Sequence, residues 1–240
     1  MTAAERAHAL LDRVRTLHDE WARLTRGLDE DAVRGPSALP GWTRAHLLSH
    51  LARNADGLVN LLTWAKTGVE TPMYAGEAAR DDDIEKGAYR SVEEIAEDVV
   101  GSAARLVEVA SGLPDDAWWV RVRARQGREI PAEFVLWLRL SETSIHLADL
   151  DLGYDFARIA DLLGDEFDVV VGNAIAMYGG ELPAVVLVAA EANGYRHEWR
   201  FGEGEPVTLT GTRGEVLKWV TGRGDGSALD GEVPALPHWL

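Results

Sequence analysis

The chain has 240 residues, enough for one large domain or two smaller ones, and 46% of them are hydrophobic, so a sizeable core is available. A formal charge of −16 repels phosphate backbones and speaks against nucleic acid as a partner, and no apolar run approaches the ~20 residues of a membrane span. With no cysteine, a disulfide, a thiolate nucleophile and a cysteine-ligated zinc are all excluded.

The N-terminus, MTAAERAHALLDRVRTL, is charged and amphipathic, unlike a secretory signal, so a cytoplasmic protein is expected. Leu10, Leu11, Val14, Leu17, Trp21, Leu24 and Leu28 alternate three and four apart, the stripe of a bundle helix over 3–28. A connector with Gly35, Pro36 and Pro40 follows. Thr43 then caps a second helix whose stripe runs from Leu47 to Ala65 and stops at Gly68. Residues 69–90 lack periodicity and read as a long loop. Ser91-Val-Glu-Glu94 is a capping box, and Val92 to Val109 mark a third helix. Trp118–Arg125 alternates and turns at Gln126-Gly127, a small hairpin or extended excursion. Pro131 suits the first turn of a fourth helix that runs to about Leu150.

Four helices with one short excursion predict a four-helix bundle over 1–153. Beyond Gly153 the texture changes to a helix over Ile159–Tyr178, strands at Pro183–Ala190, Tyr195–Phe201 and Val207–Thr210, and a helix over Thr212–Thr221. That order predicts a small α+β domain over 154–240, closing in a Gly/Pro-rich tail that ends PHWL.

The chemistry concentrates in the fourth helix. Its stretch Glu133–Leu150 is apolar on nearly every side, yet it carries Glu142 and His146, four apart and therefore on one face. A carboxylate and an imidazole in an apolar helix are costly unless something pairs with them. A metal, a mutual hydrogen bond and a catalytic acid–base pair all answer that cost. On the second helix, His50 neighbours the apolar stripe and His46 sits in the first turn. One histidine from this helix with Glu142 and His146 would give three ligands and an open position, the pattern of a catalytic zinc or similar ion. The plainer alternative is a Glu142–His146 hydrogen bond beside a satisfied core histidine. His8 and His18 lie off the core stripe and are read as solvated, and His197 is given no role. Arg223 stands between two glycines after the last helix, where it serves either as a helix-end cation or as an anion-binding guanidinium. Arg80, before three aspartates, presents the same choice against a surface ion pair.

The stretches GWTRAHLLSHLARNA, WAKTGVETPMY, the Glu142–His146 helix, GRGDG and EVPALPHWL resemble, in order, the mycothiol-dependent maleylpyruvate isomerase family. The resemblance runs over essentially the whole chain. It implies a DinB-like four-helix bundle followed by a small α/β domain. It implies a divalent metal, taken as zinc, on His50, Glu142 and His146 rather than His46, and a catalytic role for Arg223. Arg80 is carried as a second anion-binding arginine.

The residues suit the implied chemistry, the cis–trans isomerisation of maleylpyruvate to fumarylpyruvate in gentisate degradation. Rotation about a C=C bond needs that bond made temporarily single, and reversible addition of a thiolate does this. A chain without cysteine must borrow its thiol, here mycothiol, and a metal with an open position holds it as thiolate. Local arginines must attract the dianion, because the overall charge does not. Two competing functions are a mycothiol S-transferase acting on another electrophile and a non-catalytic metal-binding module. An open coordination position speaks against the second, since structural zinc sites are usually closed.

Overall fold

Leu10, Val14, Leu17 and Trp21 form the buried side of α1 (Ala3–Arg26), which starts at a reciprocal Thr2–Glu5 capping box. Asp29 caps a short α2 (Glu30–Arg34) within the expected connector. The Thr43 hydroxyl accepts from the His46 N–H at the start of α3 (Arg44–Thr67), which stops at Gly68. A cap of this kind is worth about 1 kcal/mol.

The expected long loop holds a helix, α4 (Glu77–Ala88), in which only Ile84, Gly87 and Ala88 are buried. Three buried positions crowded at one end give no repeating stripe, and this is why periodicity missed it. α5 (Val92–Ser111) begins at the Ser91–Glu94 capping box. The hairpin pairs β1 (Arg121–Arg123) with β2 (Glu129–Pro131), burying Val122 against Ile130. Pro131 therefore closes a strand rather than opening a helix. A two-stranded hairpin has only edge strands, where proline is tolerated. α6 (Phe134–Asp149) starts just beyond it.

α1 and α3 each pack on α5 and α6, forming the bundle, and α4 lies along α3. The core is the leucine-rich side of α3 with its partners; Leu47, Leu51, Leu58, Leu61 and Leu62 are fully enclosed. Truncating any one to alanine would cost about 2–5 kcal/mol. Across the bundle, the Trp21 indole donates to the Thr143 carbonyl at 2.8 Å, tying α1 to α6.

The computed structural model describes residues 2–178 and 181–237, and Cα packing divides the chain into Met1–Asp151 and Leu152–Leu240. In the second unit the single helix expected over Ile159–Tyr178 is two, α7 (Phe156–Leu163) and α8 (Phe167–Ala176), parted by a tight turn at Gly164–Glu166. The sheet has the order β4-β3-β5, with β3 (Pro183–Ala190) central and buried, β4 (Arg196–Phe201) antiparallel to it and β5 (Glu203–Gly211) parallel. The chain passes from one edge to the other beneath the start of β3 at Gly202, where a Cβ would lie 2.1 Å from the Pro183 carbonyl oxygen. Only glycine fits there. Thr212 and Glu215 cap α9 (Arg213–Val220), which packs on α7, β3 and β5. The α+β class matches the expectation. His238–Leu240, the last three residues of the expected tail, lie outside the described residues. No described helix is long and apolar enough to cross a membrane.

Candidate metal centre

α3 and α6 run antiparallel, and two arginines fix their register. In the first turn of α3, Arg44 donates from Nε to the Leu150 carbonyl at 2.7 Å and from Nη2 to the Asp151 carbonyl at 3.1 Å, satisfying groups at the end of α6. Further along, Arg139 of α6 donates from Nη1 to the Leu51 carbonyl at 2.8 Å and to Asn54 Oδ1 at 2.9 Å, both on α3. Between these clamps His50 faces Glu142 and His146.

The three side chains converge. His50 Nε2 lies 3.0 Å from Glu142 Oε2 and 3.2 Å from His146 Nε2, which is 3.1 Å from the same oxygen. One nitrogen or oxygen from each lies within 4.8 Å of the other two. The far side of each ring is also engaged. His146 Nδ1 pairs with Asp149 Oδ2 at 2.8 Å, and the Asp149 side chain is 1% exposed. That carboxylate places the ring proton on Nδ1 and leaves the Nε2 lone pair facing the cluster. Arg80 Nη2 lies 3.1 Å from His50 Nδ1. The Trp42 ring packs at 5.5 Å against His50, forming one wall.

The electrostatics suit a cation. Burial alone would raise the Glu142 carboxyl, but the bonds from His146 and His50 outweigh it and hold the group well below the usual carboxylate range. Burial lowers His50 against the pull of Glu142, favouring the neutral ring that ligates metals. For His146 burial also pulls downward, but the bonds to Asp149 and Glu142 prevail and raise it. Glu142 keeps 34% of its side chain exposed, so the cluster opens to solvent on that side. Two imidazole nitrogens and one carboxylate oxygen on one point, with an open flank, fit a divalent ion of the zinc type.

A family model described as the mycothiol maleylpyruvate isomerase N-terminal domain matches residues 14–151. A solved structure described as the crystal structure of the mycothiol-dependent maleylpyruvate isomerase is 30% identical, covers 100% of both chains and has a TM-score of 0.82. The chain belongs to the mycothiol maleylpyruvate isomerase family. The crystal structure of a histidine-to-alanine mutant of that isomerase gives the same identity, coverage and TM-score. A comparison with curated proteins gives no match.

Within this family fold, the first unit brings His50, Glu142, His146 and Arg80 together. Arg80 belongs to α4 rather than to a loop; its side chain is 10% exposed and its Nη1 also pairs with Asp81 at 2.7 Å. His46 is committed elsewhere. Its Nδ1 accepts from the Thr43 backbone N–H at 3.3 Å, completing the capping box, and also sits 2.7 Å from the Thr43 hydroxyl, while its Nε2 lies 3.2 Å from Glu85. Arg223 lies in the second unit, just beyond α9, with its N–H on the Lys218 carbonyl at 3.0 Å and Nη1 on the Thr221 carbonyl at 2.6 Å.

His18 is not solvated as expected. It is buried on α1 and its Nε2 accepts from Arg139 Nε at 2.9 Å. Burial first, and then the Arg139 charge, push it well below its usual value, so it is neutral. Arg139 itself is drawn down to about 10 by burial and remains a cation. The sequence reading missed both Arg139 and Asp149. For Asp149 a signal existed: it stands three residues after His146, on the same helix face.

Proposed function

We propose that the chain is a cis–trans isomerase that converts maleylpyruvate to fumarylpyruvate, using mycothiol and a divalent ion, zinc by its donor set, on His50, Glu142 and His146. What supports the reading is this converging trio in a chain alike, over its full length, to a mycothiol-dependent maleylpyruvate isomerase. When bound, the ion supplies an open position that lowers a thiol's pKa, and mycothiol supplies the nucleophile that a cysteine-free chain lacks.

The chain's own residues do the rest. Asp149 holds the His146 proton on Nδ1, so Nε2 remains a ligand. Glu142 stays ionised and would offset one charge of a bound ion. Opening the substrate's C=C bond moves negative charge onto its oxygens, and a preorganised cation or donor stabilises that charge as it develops. We assign this work to Arg223, with Arg80 receiving a carboxylate of the dianion beside His50. A reaction that needs a reduced thiol belongs in a reducing compartment, so we assign the chain to the cytoplasm.

The test is an ultraviolet assay of maleylpyruvate loss by dialysed, metal-loaded protein. No turnover is expected until mycothiol is added, and mycothiol should be recovered unchanged. Full turnover without thiol would overturn the mechanism. Stoichiometric consumption of thiol into a stable adduct would make the protein a transferase instead.

A further inference from the structure

Tyr74 stands at this site with no part in the chemistry so far. The segment after α3 folds back along that helix. Asn60 Nδ2 donates to the Pro72 and Met73 carbonyls, each at 3.3 Å. The next contact is at Gly57, where a Cβ would lie 2.9 Å from Met73 Cγ and 3.1 Å from Tyr74 Cε1. A side chain there would push the segment off. Gly57 is seven residues after His50, two turns along the same helix face. The absent side chain therefore lets the Tyr74 ring settle on the face that carries His50.

The phenol is also placed from α4. The Arg80 guanidinium lies 5.9 Å from the Tyr74 ring centre, while Nη2 of the same guanidinium lies 3.1 Å from His50 Nδ1. One arginine thus links the phenol to a member of the converging trio. Arg80 from α4, Glu142 and Arg139 from α6, and Arg125 from the hairpin turn all act on the phenol. Arg125 is itself held by Glu77, at 2.7 Å from Nη2.

We propose that Tyr74 is a further catalytic residue, whose hydroxyl donates a hydrogen bond to the substrate oxygen that gains charge as the double bond opens. The proposal rests on the isomerase reading and adds a neutral donor beside the cation Arg80. A carbon–sulfur bond forms as the C=C π bond opens and breaks as it closes. The displaced electron pair rests on the substrate oxygen and returns, and Tyr74 keeps its proton throughout. A donor suits this step only if it stays protonated. Burial, and then the charge of Glu142, push the phenol up to about 12, against the opposing effect of Arg80 and Arg125. Tyr74 is therefore an O–H donor across the neutral range, and no base.

The experiment compares metal-loaded wild type with Tyr74→Phe, which keeps the ring on Gly57 and removes only the oxygen. Four quantities are read: kcat/KM for maleylpyruvate with mycothiol, affinity for maleate as an unreactive dianion probe, bound metal, and Tm. The variant should lose roughly 100-fold in kcat/KM, the scale of one oxyanion donor. Maleate should bind about 10-fold more weakly, with metal content and Tm unchanged. A kcat/KM within threefold of wild type would overturn the proposal, and so would an activity loss that tracks lost metal or a lowered Tm. If wild type does not turn over maleylpyruvate, the isomerase reading fails. Tyr74-dependent maleate binding would then still support a hydroxyl facing an anionic ligand, and equal maleate affinity would sink it.

Discussion

Among the described residues, a cluster of histidine and carboxylate lies in each unit, and the two are built in opposite ways. In the first, His50, Glu142 and His146 turn their ligand atoms inward to one point, and Asp149 engages only the far side of a ring. In the second, His197 lies between two carboxylates on opposite ring nitrogens, Asp168 Oδ1 at 2.6 Å from Nδ1 and Glu191 Oε1 at 2.9 Å from Nε2. The same residue types thus converge on one point in one place and form a strut in the other. What separates them is where the lone pairs go. The His197 nitrogens point apart to two separate carboxylates, whereas one nitrogen of His50 and one of His146 meet each other and the same Glu142 oxygen, the convergence that a single ion can replace.

Breaking the inward-facing cluster should have the largest effect. His50→Ala, Glu142→Ala and His146→Ala should each lose bound metal, with turnover falling by ~10³-fold or more, the scale of a Lewis-acid contribution of several kcal/mol. His46→Ala should keep its metal, because His46 is engaged with Thr43 and Glu85. Elemental analysis beside the assay decides this, and full metal occupancy in the three ligand variants would refute the assignment. Next in size is Arg223. Arg223→Lys keeps the charge but loses the planar fork, and should cost about 10²-fold, nearly as much as Arg223→Ala, with metal content unchanged. Near-normal activity in the lysine variant would reduce Arg223 to a cation at a helix end.

Asp149→Asn sharpens the comparison from behind the ring. The carboxylate that holds the His146 proton becomes an amide, and metal affinity should fall about 10–100-fold while the fold survives. A competition titration against a chromophoric chelator measures it. Unchanged affinity would mean that the His146 orientation is set by packing alone.

How much of this was readable beforehand depends on what each residue bonds to. Glu142 and His146 announce themselves because a polar pair in an apolar helix must face something, and their spacing says they face it together. Periodicity could not choose between His46 and His50; the structure separates them through a capping box in which histidine stands at the third helical position. Arg139 was invisible for another reason. Its partners include a main-chain carbonyl and residues on two other helices, and no local spacing encodes them. The fold divides along the same line. α1, α3 and α5 have long stripes and were legible, whereas α4 buries three residues at one end and Pro131 answers to its strand partner. Contacts within a helix leave a pattern in sequence; contacts between elements leave none.

The smallest expected effect is the one that tests whether the second cluster is only a strut. Asp168 lies on α8, Glu191 follows β3 and His197 lies on β4, so the imidazole joins a helix to both strands of a hairpin. Its ring also stacks on Trp199 at 6.0 Å and meets Phe167 edge-on at 5.4 Å. Removing the ring therefore deletes aromatic packing and two partly solvated hydrogen bonds, which are weak contributors at a surface. His197→Ala should lower Tm by only roughly 2–4 °C, the scale of a modest packing loss in a chain of this size. Bound metal and turnover should match wild type. A thermal melt beside elemental analysis of the same preparation checks both. If His197→Ala lost metal while remaining folded, the contrast between inward-facing and outward-facing nitrogens would be wrong, and the second unit would have to contribute to holding the ion.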